Sequence, residues 1–286
     1  MRHEATRREE PQLKPVGTEP EARFARAIFY LDRKASRAIR DYDLVADGDR
    51  IMVAVSGGKD SAALLHLLAR RRAWRRERYE LLACHVRPPR QPPVGPQPPS
   101  TSDAAAGADP VAEAHLAAVC TGLDVPLHVV DADPLPSEMR HRLSPCFLCA
   151  RRRRKALLEA AVTLGCGTIA LGHHMNDVAE TLLLNLLWQG RCEGMLPRRD
   201  LLAGRVKLIR PLIYVEEKEL ARACRLGGLA VTRCSCAFAD HSKRELVSSI
   251  LETVRRSGVR GVAANVLGAA LRQTGEHSRS DRRHGG

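Results

Sequence analysis

Ile51-Met52-Val53-Ala54-Val55-Ser56-Gly57-Gly58-Lys59-Asp60-Ser61 is the stretch on which the reading of the fold turns. Ile51 to Val55 is a short apolar, β-branched run and reads as a buried parallel strand. Ser56, Gly57 and Gly58 make a tight turn. From Lys59 the pattern becomes helical, with Ala62, Ala63, Leu65 and Leu68 on one face. A strand that ends in a glycine-rich turn at a helix N-terminus suits a phosphate, because glycines let backbone N–H groups approach the anion and the helix dipole favours its charge. Lys59 adds a point charge, and Ser56 and Ser61 add hydroxyl donors. The Walker A spacing is absent. Spacing alone leaves open an ordinary strand–turn–helix with a polar cap.

Outward from this stretch, strands and helices alternate. A helix over Glu21–Arg40, with Phe24, Ala27, Ile28, Leu31 and Ala35 at helical spacing, precedes it. After it come strands at Leu81–Val86, Pro126–Val130, Thr168–Leu171 and Val206–Ile209. Helices are expected at Pro110–Gly122, Leu148–Leu164, Asn176–Trp188, Glu216–Leu226 and, capped by Ser242, Lys243–Arg256. This alternation predicts an α/β fold with a doubly wound parallel sheet, an N-terminal helix and C-terminal helices. Ligands then bind outside the carboxyl ends of the strands, where Ser56–Ser61, Gly172–His174 and the Cys146–Cys149 region fall. Residues 1–20 are expected to be a disordered tail, and 21–257 a single domain with a flexible Pro-rich insertion over 88–109. Residues 258–286 are expected to hold a helix and a disordered tail. Arg70, Arg71 and Arg72, with Arg75 and Arg76, read as a solvated helix end that suits the dipole.

Composition narrows the partners. A net charge of +13 and a pI near 9.8 point to an anionic partner, nucleic acid first. Aromatic residues make up 3% of the chain, too few for a base-stacking platform. No apolar run is long enough to span a membrane, and the first ten residues lack an apolar leader, so a cytoplasmic protein is expected. Nine cysteines in such a chain argue for metal or redox chemistry in some of them rather than a disulfide framework. Cys84, Cys120, Cys166, Cys192 and Cys224 sit mostly among apolar neighbours and read as small core residues.

The remaining cysteines are grouped. Cys146-Phe147-Leu148-Cys149 opens a helix, where thiolates are stabilised, and Cys234-Ser235-Cys236 lies further on. Four thiolates suit a structural zinc, three an iron–sulfur cluster with one iron open, and a chance C-x-x-C is the third reading. Arg151 to Lys155 follow directly, five consecutive cations that cannot share one solvated face, which suits a phosphate-rich substrate nearby. Gly172-His173-His174-Met175-Asn176-Asp177 follows a strand, with Glu180 one turn on. Asn176 or Asp177 can cap the helix. His173, His174 and Asp177 are candidates to bind a nucleotide or Mg2+ or to carry a proton.

The string Ser56-Gly57-Gly58-Lys59-Asp60-Ser61 resembles the signature of the PP-loop ATP pyrophosphatases, which split ATP between its α and β phosphates and adenylate a substrate. The resemblance narrows with four further segments. They are Cys146-x-x-Cys149 before an Arg-rich helix, Ala170-Leu171-Gly172-His173-His174 with Asp177, Gly194-Met195-x-Pro197, and Ile209-Arg210-Pro211-Leu212. With Cys234, and in this order from about residue 35 to 255, they resemble the tRNA 2-thiocytidine synthetase family.

The resemblance implies an ATP-dependent sulfurtransferase. It would adenylate the C2 oxygen of a tRNA anticodon-loop cytidine and replace that oxygen with sulfur through a 4Fe-4S cluster. It also implies ATP held by Ser56, Gly57, Gly58, Lys59, Asp60 and Ser61 with Gly172 and His173, and catalytic roles for Lys59, Asp60 and Asp177, the two aspartates near Mg2+. The cluster falls to Cys146, Cys149 and Cys234, with Cys236 as the alternate third ligand. The implied partners are tRNA and a sulfur donor (a cysteine desulfurase or sulfide), and a homodimer is suggested. Three features depart from the pattern: Cys236 only two residues after Cys234, the Pro-rich insertion, and His85-Val86-Arg87 in place of a more polar strand end. Zinc-finger cysteine pairs, typical of 2-thiouridine thiolases, are absent towards both ends, which favours the thiocytidine branch. A 2-thiouridine thiolase and a tRNA lysidine synthetase-like ligase are the enzymatic alternatives, and a non-catalytic RNA-binding module is the third.

Overall fold

Ile51, Met52 and Val53 are completely buried because β1 (Arg50–Ala54) is a central strand with a neighbour on each side. The computed structural model describes residues 19–74, 77–89, 109–135, 145–229 and 243–273. The N-terminal tail to residue 18, most of the Pro-rich insertion, Ser242, Cys234, Cys236 and the tail from residue 274 lie outside them.

β1 pairs in parallel with β2 (Glu80–Arg87) and with β4 (Thr168–Ala170). Beyond β2 lies β3 (Leu127–Asp131), and beyond β4 lies β6 (Val206–Ile209), both parallel. β5 (Arg198–Leu201) adds an antiparallel edge, giving the order β3-β2-β1-β4-β6-β5. The sheet is therefore mostly parallel, with one strand that the sequence reading missed. Arg198-Arg199-Asp200-Leu201 has no apolar run, because an edge strand open to solvent needs none, and its charges discourage pairing with another chain. Leu202 and Ala203 turn the hairpin with φ of 49° and 54°, where Asn-Gly is the usual signal.

The two faces of β1 alternate as a pleated strand requires. Ile51, Val53 and Val55 face one apolar core with α1 (Glu19–Tyr42), α2 (Lys59–Trp74), α3 (Pro110–Gly122), α5 (Met175–Gln189), α6 (Glu217–Leu226) and α8 (Val262–Gln273). Met52 faces a smaller core closed by α4 (Pro145–Thr163). α7 (Lys243–Arg256) packs on α5 and α8 and buries only Val247 fully. α2 departs from a one-faced helix. Leu64, Leu65, Leu67 and Leu68 are all buried, because α1 and α6 cover the side turned away from the sheet.

Two expectations are corrected. Arg71 is buried rather than solvated: it donates to Asp32 at 3.1 Å, to Ser36 at 2.5 Å and to Glu77 at 3.0 Å, tying α2 to α1. Cys192 is exposed, because α5 stops at Gly190 (φ 63°) and the residues after it belong to no regular element. Cys84, Cys120, Cys166 and Cys224 are buried core residues. Among the described residues no helix is long and apolar enough to cross a membrane.

Candidate active site at the carboxyl edge of the sheet

From β1 the chain crosses to β2 on one side, whereas beyond β4 the sheet grows towards β6 on the other. This reversal of strand order opens a crevice at the carboxyl ends of β1 and β4, the usual ligand position in an open α/β sheet. The 56–61 loop leaves β1 there and residues 172–177 leave β4 there. Gly172 fixes how close the two segments come. A Cβ on it would lie 2.9 Å from the carbonyl carbon of Asp60 and 2.9 Å from the backbone nitrogen of Ser61. Only glycine allows that approach.

The loop is held in shape by its own hydroxyls. The Ser56 N–H donates to Ser61 Oγ at 3.1 Å, and Ser61 Oγ donates to the Gly58 carbonyl at 2.9 Å. The Gly58 N–H donates to Ser56 Oγ at 3.3 Å, and Gly57 adopts φ 81°, a left-handed conformation that favours glycine. Ser61 is thus a buried staple of the loop, and the first turn of α2 presents its unbonded amides to the crevice. His85, at the end of β2, is also buried, with Nδ1 2.9 Å from the Val55 carbonyl. It backs the strand end from which the loop departs.

Charged groups converge on this loop. Lys59 Nζ lies 3.3 Å from Asp60 Oδ2 and 3.0 Å from Glu217 Oε1, at the start of α6. Burial opposes the charge on Lys59, but the Glu217 and Asp60 carboxylates outweigh it and hold the ammonium above its ordinary pKa. Burial pushes the Asp60 carboxyl up, against the pull of His174 and Lys59. Asp60 Oδ1 is buried and has no hydrogen-bond partner. Cys224 Sγ donates to the Lys59 carbonyl at 3.3 Å from beneath, its thiol raised to about 11 by burial.

The segment after β4 supplies the other wall. α5 begins at Met175, so the N-cap is His174 rather than Asn176 or Asp177. Asp177 still acts in capping, from within the first turn: its Oδ2 accepts the His174 N–H at 2.9 Å. His174 Nε2 lies 3.5 Å from Asp177 Oδ2 and 3.8 Å from Asp60 Oδ2, so one imidazole bridges both predicted carboxylates. Asn176 Oδ1 accepts the Glu217 N–H at 3.1 Å and so joins α5 to α6. His173 turns elsewhere: Arg210 Nε donates to its Nδ1 at 3.3 Å, and burial with this guanidinium holds His173 well below the usual histidine range. Arg210 also donates to the Leu196 carbonyl, which joins the Gly194–Pro197 and Ile209–Leu212 segments.

Glu217 and Arg244 are site residues that the sequence reading did not single out. Arg244, in the first turn of α7, donates to Glu180 at 2.8 Å and to Asp177 at 3.3 Å. No local signal marks either residue. Each reaches the site only through the packing of helices that are remote in sequence.

The cysteine pair lies on the same edge of the sheet. α4 returns from the carboxyl end of β3 to the amino end of β4, so its first turn, with Cys146 and Cys149, sits at the carboxyl edge. Three residues apart on a helix, the two thiols share a face. Cys146 is exposed and Cys149 half-buried, unlike Cys84 and Cys120, which burial raises to about 11. Of the cations that follow, Arg152 and Lys155 do not reach towards the cysteines. They bind Asp133 at 3.2 and 2.6 Å, anchoring α4 to the exit of β3.

The donor set fits the implied groups where it is described. Asp60 and Asp177 offer hard oxygen donors to a magnesium ion, and the orphaned Asp60 Oδ1 is an acceptor in want of a cation or donor. The loop and the first turn of α2 suit a polyphosphate. Cys146 and Cys149 supply two accessible thiolates for a cluster, whereas Cys234 and Cys236 lie outside the described residues.

Comparison with known proteins agrees. A PP-loop domain model matches residues 107–247. The chain is 36% identical over 259 residues to the tRNA-cytidine(32) 2-sulfurtransferase of Syntrophotalea carbinolica, covering 86% of this chain and 94% of that one. It is 37% identical over 253 residues to the enzyme of the same name from Anaeromyxobacter dehalogenans, covering 84% and 80%. Among solved structures it superposes on the U34-tRNA thiolase NcsA of Methanococcus maripaludis, determined with its 4Fe-4S cluster. That match has a TM-score of 0.67 at 20% identity over 87% of this chain and 79% of the other, a likeness of fold. By sequence identity over more than four-fifths of its length, the chain belongs to the tRNA-cytidine(32) 2-sulfurtransferase family of PP-loop proteins.

Proposed function

We propose that this protein thiolates a tRNA cytidine in an ATP-dependent reaction. The observation that carries the reading is the contact between the β1 loop and Gly172, which brings Lys59, Asp60, His174 and Asp177 to one crevice. The C2 oxygen of the base attacks the α-phosphorus of ATP, and pyrophosphate leaves. Sulfide then adds to C2, and the oxygen departs with AMP. A ring carbonyl oxygen is a poor leaving group until it carries that phosphoryl group.

The chain's own residues bind and orient the reactants. The glycine loop and the α2 amides hold the phosphates, and Lys59 offsets charge that develops as pyrophosphate leaves. Asp60 and Asp177 would hold Mg2+, which would supply positive charge to offset that on the phosphates. Gly172 and His173 belong to the nucleotide wall, His173 as a neutral imidazole set by Arg210. Cys146 and Cys149, with Cys234 or Cys236, hold the 4Fe-4S cluster, which supplies an open iron site for sulfur delivery when bound. The sulfur donor is a cysteine desulfurase or sulfide, the enzyme works as a homodimer in the cytoplasm, and the basic surface meets the tRNA backbone.

The test is anaerobic purification with iron, sulfide and zinc analysis, for wild type and Cys146→Ala. It is paired with mass spectrometry of nucleosides from tRNA incubated with ATP and sulfide. About four irons and four sulfides per chain, lost in the variant, with ATP-dependent thiocytidine, is the expected outcome. Stoichiometric zinc without iron, or thiouridine in place of thiocytidine, overturns the reading.

A further inference from the structure

We propose that Arg244 is a positioning residue of the nucleotide site: it occupies Asp177 in the unloaded protein and yields that carboxylate to the divalent cation that accompanies ATP. The inference rests on the reading of Asp177 as a carboxylate of the ATP–magnesium site.

Three observations support the exchange. Arg244 spans two carboxylates one turn apart on α5, and the two contacts are unequal. Its Nε donates to Glu180 Oε2 at 2.8 Å, whereas Nη2 reaches Asp177 Oδ1 only at 3.3 Å. The other oxygen, Oδ2, already accepts the His174 N–H at 2.9 Å and lies 3.5 Å from His174 Nε2. Oδ1 is the less encumbered oxygen for an incoming cation, and it is the one Arg244 now holds.

The second observation is burial. The Arg244 side chain is 45% exposed, against 19% for Asp177 and 13% for Glu180. The guanidinium can turn to water while the carboxylates stay. α7 opposes this weakly, since Val247 is its only fully buried residue.

The third is charge. Asp60 and Glu217 flank Lys59, Asp177 and Glu180 flank Arg244, and Arg210 acts electrostatically on Asp177 from the other side. Without Arg244 the carboxylates exceed the cations by two, the charge of one magnesium ion. Arg244 and the divalent cation are thus alternative partners for the same excess.

The test uses Mn2+ as a paramagnetic substitute for Mg2+, its binding followed by electron paramagnetic resonance. The protein is the anaerobically purified holoenzyme with a non-hydrolysable ATP analogue. Arg244→Gln is expected to tighten Mn2+ binding by about three- to tenfold, the effect of removing one screened unit charge near a divalent ion. Arg244→Lys, which keeps the charge, stays near wild type, and Asp177→Asn weakens binding at least tenfold. Unchanged or weaker binding in Arg244→Gln, with Asp177→Asn still weakened, overturns the role of Arg244 and leaves the Asp177 reading intact. Unchanged binding in Asp177→Asn overturns both. Should Arg244→Gln fail to fold by thermal melting, Glu180→Gln decides. It removes the 2.8 Å anchor, leaves Arg244 to Asp177 alone, and is expected to weaken Mn2+ binding; tighter binding overturns the proposal.

Discussion

Replacing Gly172 by alanine drives a methyl group into the backbone of the phosphate loop. The new Cβ would stand 2.9 Å from Asp60 C, 2.9 Å from Ser61 N and 3.0 Å from Asp60 O. Ordinary van der Waals contact begins several tenths of an ångström further out, and none of these atoms is the end of a flexible side chain. Either the first turn of α2 or the segment after β4 must move. Overpacking of this kind costs about 1–3 kcal/mol. In a chain of this size, about 2 kcal/mol lowers Tm by about 3–4 °C. Function suffers more, because the displaced turn carries Lys59 and Asp60, and a shift of about 1 Å in a positioning group can cost about a hundredfold in rate. Scanning calorimetry and ATP–pyrophosphate exchange measure the two effects. Gly167→Ala is the matched control: it lies just before β4, has no atom within 4 Å of the added Cβ, and is expected to leave both readouts near wild type. Wild-type exchange and Tm in Gly172→Ala would refute the close approach on which the site is built.

Lys59→Ala is expected to reduce ATP–pyrophosphate exchange by about 10²–10³-fold, as for loss of one donor to developing charge. Its iron content, which the proposed ligands on α4 and beyond would set, should stay at the wild-type level. Asp60→Asn should abolish exchange yet raise stability at neutral pH. Burial raises the folded-state pKa of Asp60, so stability is lost as pH rises from its ordinary carboxylate value through that raised one. Melting curves for wild type and variant should therefore converge below about pH 4 and separate above it. His173 titrates in the opposite sense: its folded pKa is depressed, so stability falls as pH drops below about 6.5, and His173→Gln should flatten that limb of the Tm profile. Arg71→Ala leaves Asp32 buried without its guanidinium and should cost about 3–5 kcal/mol in urea denaturation. Arg72→Ala, whose guanidinium pairs with the fully exposed Asp124, should cost under about 1 kcal/mol.

Much of the site was legible in the chain because its chemistry is concentrated in short segments. Ser56–Ser61 has to be a turn between a β-branched run and a helix, and that local geometry places backbone amides at the mouth of the crevice whatever else surrounds it. The Cys146–Cys149 spacing likewise fixes two sulfurs on one helical face. Where the reading failed, a long-range contact had won over a local pattern. Arg71 lies in a basic run that looks solvated, and only the meeting of α1 and α2 makes it a buried partner of Asp32. β5 carries no hydrophobic alternation because its pairing with β6 needs backbone groups, not side chains.

What the sequence determined by itself was the alternation of strands and helices, the mostly parallel character of the sheet and the glycine turn between β1 and α2. These follow from periodicity, glycine conformation and helix-end electrostatics, which act within a few residues. The tertiary structure alone decided that β4 lies beside β1, that Gly172 touches the loop, and that Glu217 and Arg244 complete the charge balance around Lys59 and Asp177. The physical reason is range: ion pairs between side chains more than sixty positions apart leave no periodicity in the chain and appear only once the packed helices bring them together.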